Sequence, residues 1–264
     1  MTKDARMPAV FISHGSPMIA IEEGAYNDAL AAFGERVKPK AILVASAHWV
    51  SDARIRISSA AQHKLLYDFG GFPRALYALQ YPVQGAPELA LEIAEKLAEA
   101  GFEVQLDATR GLDHGVWIPL RTMYPKADVP VVEISLPLTF TPRELFRIGE
   151  QLAYLRERGI LTMGSGGIVH NLALADLRRR DRPVDAWASA FDQWFQATLE
   201  TADTEALLQY ETLAPYAAEA VSTKEHFIPV FVVAGAASKM ATVENIYTGF
   251  EYGNLSLRSY ALVD

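Results

Sequence analysis

Short runs of consecutive apolar residues alternate along the chain with longer stretches in which apolar and polar residues recur at helical spacing. The clearest apolar runs are 9–12, 41–45, 129–134 and 160–163. Short runs that are apolar at nearly every position are typical of strands buried on both faces. The pattern therefore predicts a buried, partly parallel sheet whose strands are connected by helices.

Three helices are predicted from composition and spacing. The stretch 86–100 is rich in Ala, Leu and Glu and ends at Gly101, a residue type favoured just after the last helical position. In residues 185–201 and 204–220, apolar and polar residues also recur at helical spacing. Because proline cannot donate a backbone hydrogen bond, we expect the last of these helices to be bent or broken at Pro215.

A further helix is indicated by its first residues. Thr141 is a candidate N-cap, with Pro142 at the first helical position and Glu144 at the third. This arrangement is a capping box, in which threonine and glutamate satisfy each other's backbone N–H groups. We expect the helix to end at Gly159.

The C-terminal stretch NIYTGFEYGNLSLRSYAL alternates apolar and polar residues around Gly253 and Asn254, which predicts a β-hairpin. The chain has 264 residues, enough to bury one large core. We therefore predict an α/β fold in which residues 1–264 form a single catalytic domain. Its central sheet is mixed and partly parallel, is flanked by helices and is followed by the C-terminal β-hairpin.

Composition restricts the chemistry and the partners. Cysteine is absent, so any metal must be bound through nitrogen or oxygen. The net charge of −8 argues against nucleic acid as a partner. The N-terminal stretch MTKDARMPAV has no apolar segment typical of a secretory signal, and the longest apolar run, 227–237, is too short to span a bilayer. We expect a cytoplasmic protein with no membrane partner.

Five of the six histidines lie where a binding site is expected in such a sheet. His14, His48 and His170 each follow an apolar run, and ligands bind beyond the carboxyl ends of parallel strands. His114 lies in the glycine-flanked stretch LDHGVWIPL, and His226 lies in EHFIP. We expect the five imidazoles to converge at one edge of the sheet.

Imidazole clusters favour metal binding over the other chemistries that the chain can offer. No Gly-x-Ser-x-Gly motif is present, and GSGG at 164–167 lacks the lysine of a phosphate-binding loop. Imidazole binds Zn, Fe, Cu or Ni. The sixth histidine, His63, lies in the polar stretch SSAAQHK and is expected at the surface. Ser222, with Glu225 three residues later, is expected to cap a helix that begins near His226.

Seven motifs occur in order along the chain: FISHGSP, VASAHW, YDFGGFP, LDHGVWIPL, GSGGIVHN, EHFIP and GFEYGNLSLRS. Together they resemble the class III extradiol ring-cleaving dioxygenases, in particular the branch similar to 4,5-DOPA dioxygenases. The resemblance implies a non-haem Fe(II) enzyme that opens the ring of a small catechol, such as DOPA, beside its two hydroxyls and incorporates both atoms of O₂. It also implies that Zn(II) can occupy the site in the isolated protein.

The same resemblance implies roles for the five histidines. It implies three metal ligands: His14, His48 and His226. His114 and His170 would form the acid–base pair beside the metal, and His170 could be a fourth ligand when no substrate is bound. Many members of the wider class use a carboxylate as the third ligand, so Glu225 is the alternative to His226.

Some side chains allow two interpretations each. Four aromatic residues either line a pocket or belong to the core: Trp49, Phe69, Phe72 and Tyr77. Asp113 either orients the neighbouring imidazole of His114 or caps a turn. Arg258 either contacts a substrate carboxylate or forms a structural ion pair.

Two other functions fit the histidine site. A histidine-bound zinc ion activates water, so a zinc hydrolase is one alternative. A non-enzymatic metal-binding protein that retains the fold is the other, although binding alone does not require the acid–base histidines. Oxygen dependence distinguishes the dioxygenase from the hydrolase. The preferred catechol, the cleavage position, the native metal and the oligomeric state are left open by the sequence.

Overall fold

The structure, a computed structural model, describes residues 6–264. Residues 1–5, which include the start of the stretch MTKDARMPAV, lie outside the described residues. The strands are β1 (Ala9–Ser13), β2 (Ala41–Ser51), β3 (Ile55–Ser58), β4 (Val104–Asp107), β5 (Val131–Pro137), β6 (Ile160–Gly166), β7 (Thr242–Tyr247), β8 (Phe250–Glu251), β9 (Leu255–Ser256) and β10 (Ser259–Val263).

Helices connect most of these strands. They are α1 (Ala25–Arg36), α2 (Arg74–Tyr77), α3 (Pro87–Glu99), α4 (His114–Met123), α5 (Pro142–Leu152), α6 (Tyr154–Glu157), α7 (Ala186–Glu200), α8 (Thr204–Leu208), α9 (Tyr210–Leu213), α10 (Ala217–Ala220) and α11 (Pro229–Ala236), with a short 3-10 helix at Pro17–Ala20. Within residues 6–264, none of the helices has the length and hydropathy needed to cross a bilayer.

Eight strands form one mixed sheet in the order β4-β3-β5-β2-β6-β1-β10-β7. The central strands β5, β2, β6 and β1 pair in parallel, whereas β10 pairs antiparallel with both β1 and β7. Strands β8 and β9 form a separate antiparallel hairpin. The predicted single α/β domain with a mixed sheet and a C-terminal hairpin is confirmed.

Both faces of the sheet are buried because side chains alternate along each strand. In β1, Ala9 and Phe11 pack on one face and Val10 and Ile12 on the other. Helices α3, α5, α7 and α11 contribute to the first core, and α1 and α4 contribute to the second. Buried strands of this kind leave the carboxyl ends of the parallel strands as the open edge where a ligand binds.

Two predicted helices are interrupted. The capping box at Thr141 is present, but the helix changes to a separate short helix at Ala153 before the chain turns at Gly159. The predicted helix over 204–220 is broken around Pro215, as expected, but it is also interrupted at Gln209 and therefore forms three short helices. After the proline, Tyr216 has a left-handed backbone with φ of 56°, which a continuous helix does not allow.

The predicted cap at Ser222 is also wrong. Residues 221–228 form turns, and helix α11 begins only at Pro229. The Ser222 hydroxyl donates instead to the His170 carbonyl oxygen at 3.4 Å. His226 therefore lies in a turn ahead of the helix.

Arg258 forms a buried ion pair with Asp192. Both side chains are more than 90% buried, and the guanidinium donates to both carboxylate oxygens, with an Nε–Oδ1 distance of 2.9 Å. The Ser256 hydroxyl donates to the same Oδ1 at 2.9 Å. Because its guanidinium is fully engaged there, Arg258 is the structural ion pair of the two interpretations above.

We expect the substitution Asp192→Ala to lower the free energy of unfolding by about 3–5 kcal/mol, because it leaves a buried guanidinium without its counter-ion. Urea unfolding monitored by circular dichroism measures the change. The control is Glu205→Ala, which breaks the exposed pair with Arg143 and should cost less than about 1 kcal/mol. Equal losses in the two variants would contradict the structural role of the buried pair.

Candidate active site

Five histidines converge at the carboxyl edge of the parallel strands, as expected. His14 directly follows β1, and His170 follows β6 after a short turn. His114 is the first residue of α4, and His226 lies in the turn before α11. The ring centroids of His14 and His48 are 4.8 Å apart, and that of His226 lies within 5.3 Å of both.

His48 reaches this edge because strand β2 is bulged. Ala45 pairs with Ile134 but Val50 pairs with Leu136, so five steps along β2 match only two along β5. The strand therefore continues beyond the apolar run 41–45, through His48 to Ser51. Bulges commonly redirect a side chain beside an active site, and this one directs His48 towards His14.

The tautomer of His14 is fixed by Ser165 on the neighbouring strand β6. The Ser165 hydroxyl donates its only proton to the Gly115 carbonyl oxygen. It must therefore accept the bond from His14 Nδ1, which lies 3.0 Å away. His14 is consequently protonated at Nδ1, and its Nε2 offers a lone pair.

That lone pair is directed at a second imidazole nitrogen. Nε2 of His14 and Nε2 of His48 are 3.0 Å apart, while Nδ1 of His48 lies 3.5 Å from Asp68 Oδ2. With the His48 proton on Nδ1, on the Asp68 side, both Nε2 atoms carry lone pairs, and a cation bound by both would offset their repulsion. Two nitrogens each about 2.1 Å from one ion, at about a right angle, are about 3.0 Å apart, so this pair fits a metal ion.

The third metal ligand has two candidates in the structure. His14, His48 and His114 each offer a nitrogen, and these three atoms lie within 4.8 Å of one another. His226 is on the other side of the same cluster, with its ring centroid 5.1 Å from that of His48. Its Nδ1 lies 3.2 Å from Glu225 Oε1, so its Nε2 is the nitrogen available for a metal.

His170 stacks on His226, with ring centroids 3.6 Å apart and planes 6° apart. Two imidazolium cations would repel each other at this distance. Burial, followed by the charge of His226, lowers the pKa of His170 to about 3. His170 is therefore neutral at pH 7, the form that accepts a proton or binds a metal.

His14 and His48 are neutral for the same physical reasons. Burial, reinforced by the neighbouring imidazoles, lowers the pKa of His14 well below its usual value. Burial and the charge of His114 lower the pKa of His48 to about 4. Neutral imidazoles keep the lone pairs that metal binding requires.

Asp68 is a site residue that the sequence analysis did not single out, although it lies within the quoted motif YDFGGFP. Its Oδ1 accepts the His114 backbone N–H at 2.9 Å and lies 3.0 Å from His114 Nδ1, although the ring is not aligned for a hydrogen bond. Burial opposes ionisation of Asp68, but its contacts with His114 and the charge of His48 outweigh it and lower its pKa to about 2. Asp68 is therefore a fixed negative charge beside both imidazoles.

Asp113 does not contact an imidazole nitrogen in this way. Its buried carboxylate accepts from the Ser46 hydroxyl at 2.8 Å and lies 3.3 Å from Arg110 Nη2. Its carbonyl oxygen accepts the first backbone bonds of α4. Asp113 occupies the N-cap position of α4, but its side chain makes no capping hydrogen bond there. Asp68 has the position suited to orienting the imidazole of His114.

Glycine at 166 allows strand β6 to approach the His226 turn. A Cβ placed on Gly166 would lie 2.0 Å from the His226 carbonyl oxygen, and Gly167 donates its N–H to that oxygen at 2.8 Å. No other residue type fits this approach without moving His226. The GSGG stretch therefore brings His226 against the strand end that leads to His170.

His63 is not at the surface, and that prediction is wrong. Its side chain is buried, and its Nε2 lies 2.9 Å from the Val131 carbonyl oxygen. The polar stretch that contains it runs beside residues 83–85, where Gln62 pairs with Gln84. This pairing encloses the imidazole beside the start of β5.

The histidines line one side of a cavity of about 440 Å³, a size typical of small-molecule sites. Phe69 and Phe72 line it as well. Trp49 is instead buried, with the guanidinium of Arg110 over its ring. Tyr77 is partly exposed and does not line the cavity. Two of the four aromatic candidates are therefore pocket residues.

The sequence matches the family described as the catalytic LigB subunit of aromatic ring-opening dioxygenase over residues 8–262. The chain belongs to this family. It is 39% identical over 255 residues to a protein of Beta vulgaris named 4,5-DOPA dioxygenase extradiol, covering 95% of this chain and 94% of the relative. It is 35% identical over 260 residues to a protein of the same name from Escherichia coli K12, covering 96% and 94%.

A solved structure shows the same fold. The crystal structure of the uncharacterized protein JW3007 from Escherichia coli K12 superposes with a TM-score of 0.83 at 32% identity, covering 97% of this chain and all of that one. The chain is thus an extradiol aromatic ring-opening dioxygenase, which acts on an aromatic substrate and O₂. Within the cluster, His14, His48 and His114 form a group that could hold a metal ion, in keeping with this family.

Proposed function

We propose that the protein cleaves the ring of a small catechol beside its two hydroxyls in an Fe(II)-dependent reaction that adds both atoms of O₂. The observation that carries the metal dependence is the 3.0 Å approach of the His14 and His48 Nε2 atoms. DOPA is the first catechol to test, because two relatives that align with 95% of this chain are named 4,5-DOPA dioxygenase extradiol. We take the whole chain, residues 1–264, as one catalytic unit.

The proposed ligands are His14, His48 and His226. His14 and His48 present lone pairs to one point, and Glu225 at His226 Nδ1 leaves Nε2 of His226 free for the same point. Glu225 is then a partner of the ligand rather than the ligand itself. Three protein ligands leave positions open for the catechol oxygens and O₂. When bound, iron supplies the electron transfer that couples catechol and O₂.

His170 and His114 are the proposed proton carriers. Neutral His170, stacked on His226, is placed to accept a proton from a catechol hydroxyl as the substrate binds. His114 lies on the other side of His48, with ring centroids 4.1 Å apart. Asp68 Oδ1 lies 3.0 Å from its Nδ1, and we assign to His114 the donation of a proton during ring opening.

Anaerobic reconstitution tests the reaction and the metal together. Metal-free protein is loaded with Fe(II) or with Zn(II), and a catechol panel that includes DOPA is added with air while O₂ uptake and visible absorbance are followed. We expect O₂ consumption and a yellow ring-opened product with iron only. Tight zinc binding without O₂ uptake on any catechol would contradict the iron-dependent reaction and favour zinc-dependent hydrolysis at the same histidines.

The ligand assignment is tested by comparing His226→Ala with His114→Ala. We expect His226→Ala to lose bound metal, measured by elemental analysis after dialysis, and His114→Ala to retain it. The reverse result would assign the third ligand to His114, which belongs to the tight nitrogen cluster. Retention of metal by Glu225→Gln alongside loss in His226→Ala would exclude Glu225 as the ligand.

A further inference from the structure

The mouth of the active-site cavity carries two leucines that are exposed to water. Leu172 and Leu177 line the cavity, and their exposed fractions are 55% and 60%. Large apolar side chains at the edge of a ligand pocket are typical of a surface that a ligand covers. We call this pair the leucine rim.

The leucine rim is held in place by hydrogen bonds. Buried Asn171 donates to the Glu219 carbonyl oxygen at 2.8 Å, and its side-chain oxygen accepts the backbone N–H of Ala173. Farther along the segment, the Asp176 N–H donates to the Tyr252 carbonyl oxygen. The rim is thereby fixed to the β8–β9 hairpin. Leu255 of β9 and Leu257, just after it, also line the cavity.

The cavity offers no free cation to a substrate carboxylate. Among the residues that the structure describes, no lysine or arginine lines it, and its one carboxylate is Glu251. Arg180, which pairs with Glu251 of that wall, also pairs with Glu22. Arg258 is engaged by Asp192. A carboxylate brought into this wall would lose water without gaining a counter-ion, which is costly.

We propose that the enzyme selects catechols with an uncharged apolar substituent, which the leucine rim contacts, over catechols of equal length that carry a carboxylate. This inference rests on the proposed function, since the catechol oxygens must lie at the histidines for the substituent to reach the rim. DOPA is then a poorer substrate than an alkylcatechol of similar length. The apolar substituent gains by leaving water against the two leucines.

The first test is a binding series on the metal-loaded protein under anaerobic conditions, where no turnover occurs. Catechol, 4-methylcatechol, 4-ethylcatechol and 4-propylcatechol are titrated by calorimetry. We expect the Kd to fall about two- to fourfold for each added methylene, as for apolar groups leaving water. A Kd that does not change along the series would overturn the proposal.

The second test compares substituents of similar length and different charge. We expect 3-(3,4-dihydroxyphenyl)propionate to bind about tenfold or more weakly than 4-propylcatechol, because its carboxylate has no partner in the cavity. Dopamine carries the opposite charge. Tighter binding of dopamine than of 4-propylcatechol would assign selectivity to Glu251 and overturn the role of the leucine rim.

Variants within the same segment distinguish the contribution of the leucine rim to binding from a general effect of changing the loop. In Leu172→Asn and Leu177→Asn, the decrease of Kd along the alkyl series should be reduced, while the Kd of unsubstituted catechol stays within about twofold. Leu174→Asn is the matched control, because Leu174 is 48% exposed and does not line the cavity. An equal effect of all three variants would contradict the proposal.

Measuring ring cleavage in air as well as Kd distinguishes a failure of this inference from a failure of the proposed function. Ring cleavage of 4-methylcatechol with no preference along the series would support the function and overturn the inference. A clear decrease of Kd along the series, with no O₂ uptake by any catechol, would support the inference about the rim and contradict the proposed reaction.

Discussion

The substitution His14→Ala is expected to abolish metal binding and ring cleavage together. Ser165 directs the lone pair of His14 Nε2 towards His48 Nε2, so the substitution removes one of the three proposed ligands and leaves only His48 and His226. Loss of a group that only orients a ligand lowers metal affinity by about 10–100-fold, and we expect loss of the ligand itself to exceed that range. Metal content after dialysis and O₂ uptake with saturating Fe(II) measure both effects.

The matched control for this variant is His63→Ala. It also removes a buried imidazole, but one whose Nε2 lies against the Val131 carbonyl oxygen, outside the cavity lining. We expect its metal content to equal that of the unmodified protein. Thermal unfolding of both variants shows whether each is folded. A folded His14→Ala protein that binds Fe(II) with unchanged affinity would contradict the assignment of His14 as a ligand.

The substitution His170→Ala is expected to lower kcat by about 10²–10⁴-fold, the range typical of losing a general base, while the protein keeps its metal. The reason is that His170 stacks on His226 without being one of the three proposed ligands. Steady-state O₂ uptake gives kcat, and elemental analysis gives the metal content. Partial recovery of kcat by added imidazole would support the loss of a proton acceptor as the cause.

Two results would contradict these roles. Loss of metal from folded His170→Ala would show that His170 is a ligand in the absence of substrate, the alternative that the family resemblance implies. Near-wild-type turnover of every active catechol by His114→Ala would exclude His114 as the proton donor. Asp68→Asn serves as a companion to His114→Ala, because it removes the negative charge beside His114 while leaving the imidazole in place.

The sequence by itself determined the fold class and the set of histidines. Apolar runs such as 9–12 and 160–163 are fully buried in β1 and β6, because a strand covered on both faces is apolar at nearly every position. The capping box at Thr141 is determined equally locally. Five histidines could be selected because their motifs place them beside strand ends or in glycine-rich turns, and parallel strands bring such positions to one edge.

Side chains whose role depends on contacts distant in the chain could not be assigned from the sequence. His63 lies in a polar stretch, yet it is enclosed by the pairing of residues 62 and 84. Asp68 lies against His114, which is 46 residues away. His48 reaches the site through a bulge that forms only when β2 pairs with β5. No local pattern encodes such pairings.

The reaction class could likewise be predicted from the sequence, whereas the substrate selectivity could not. Sequence motifs determined the reaction class, because the reacting groups are a small set of side chains of definite type. Selectivity depends instead on which side chains surround the rest of the substrate. The two leucines of the rim are ordinary apolar residues in the sequence, and Arg258 is an ordinary arginine. Only the tertiary structure places the leucines at the cavity mouth and commits Arg258 to Asp192, because both outcomes depend on how the loop, the hairpin and α7 pack together.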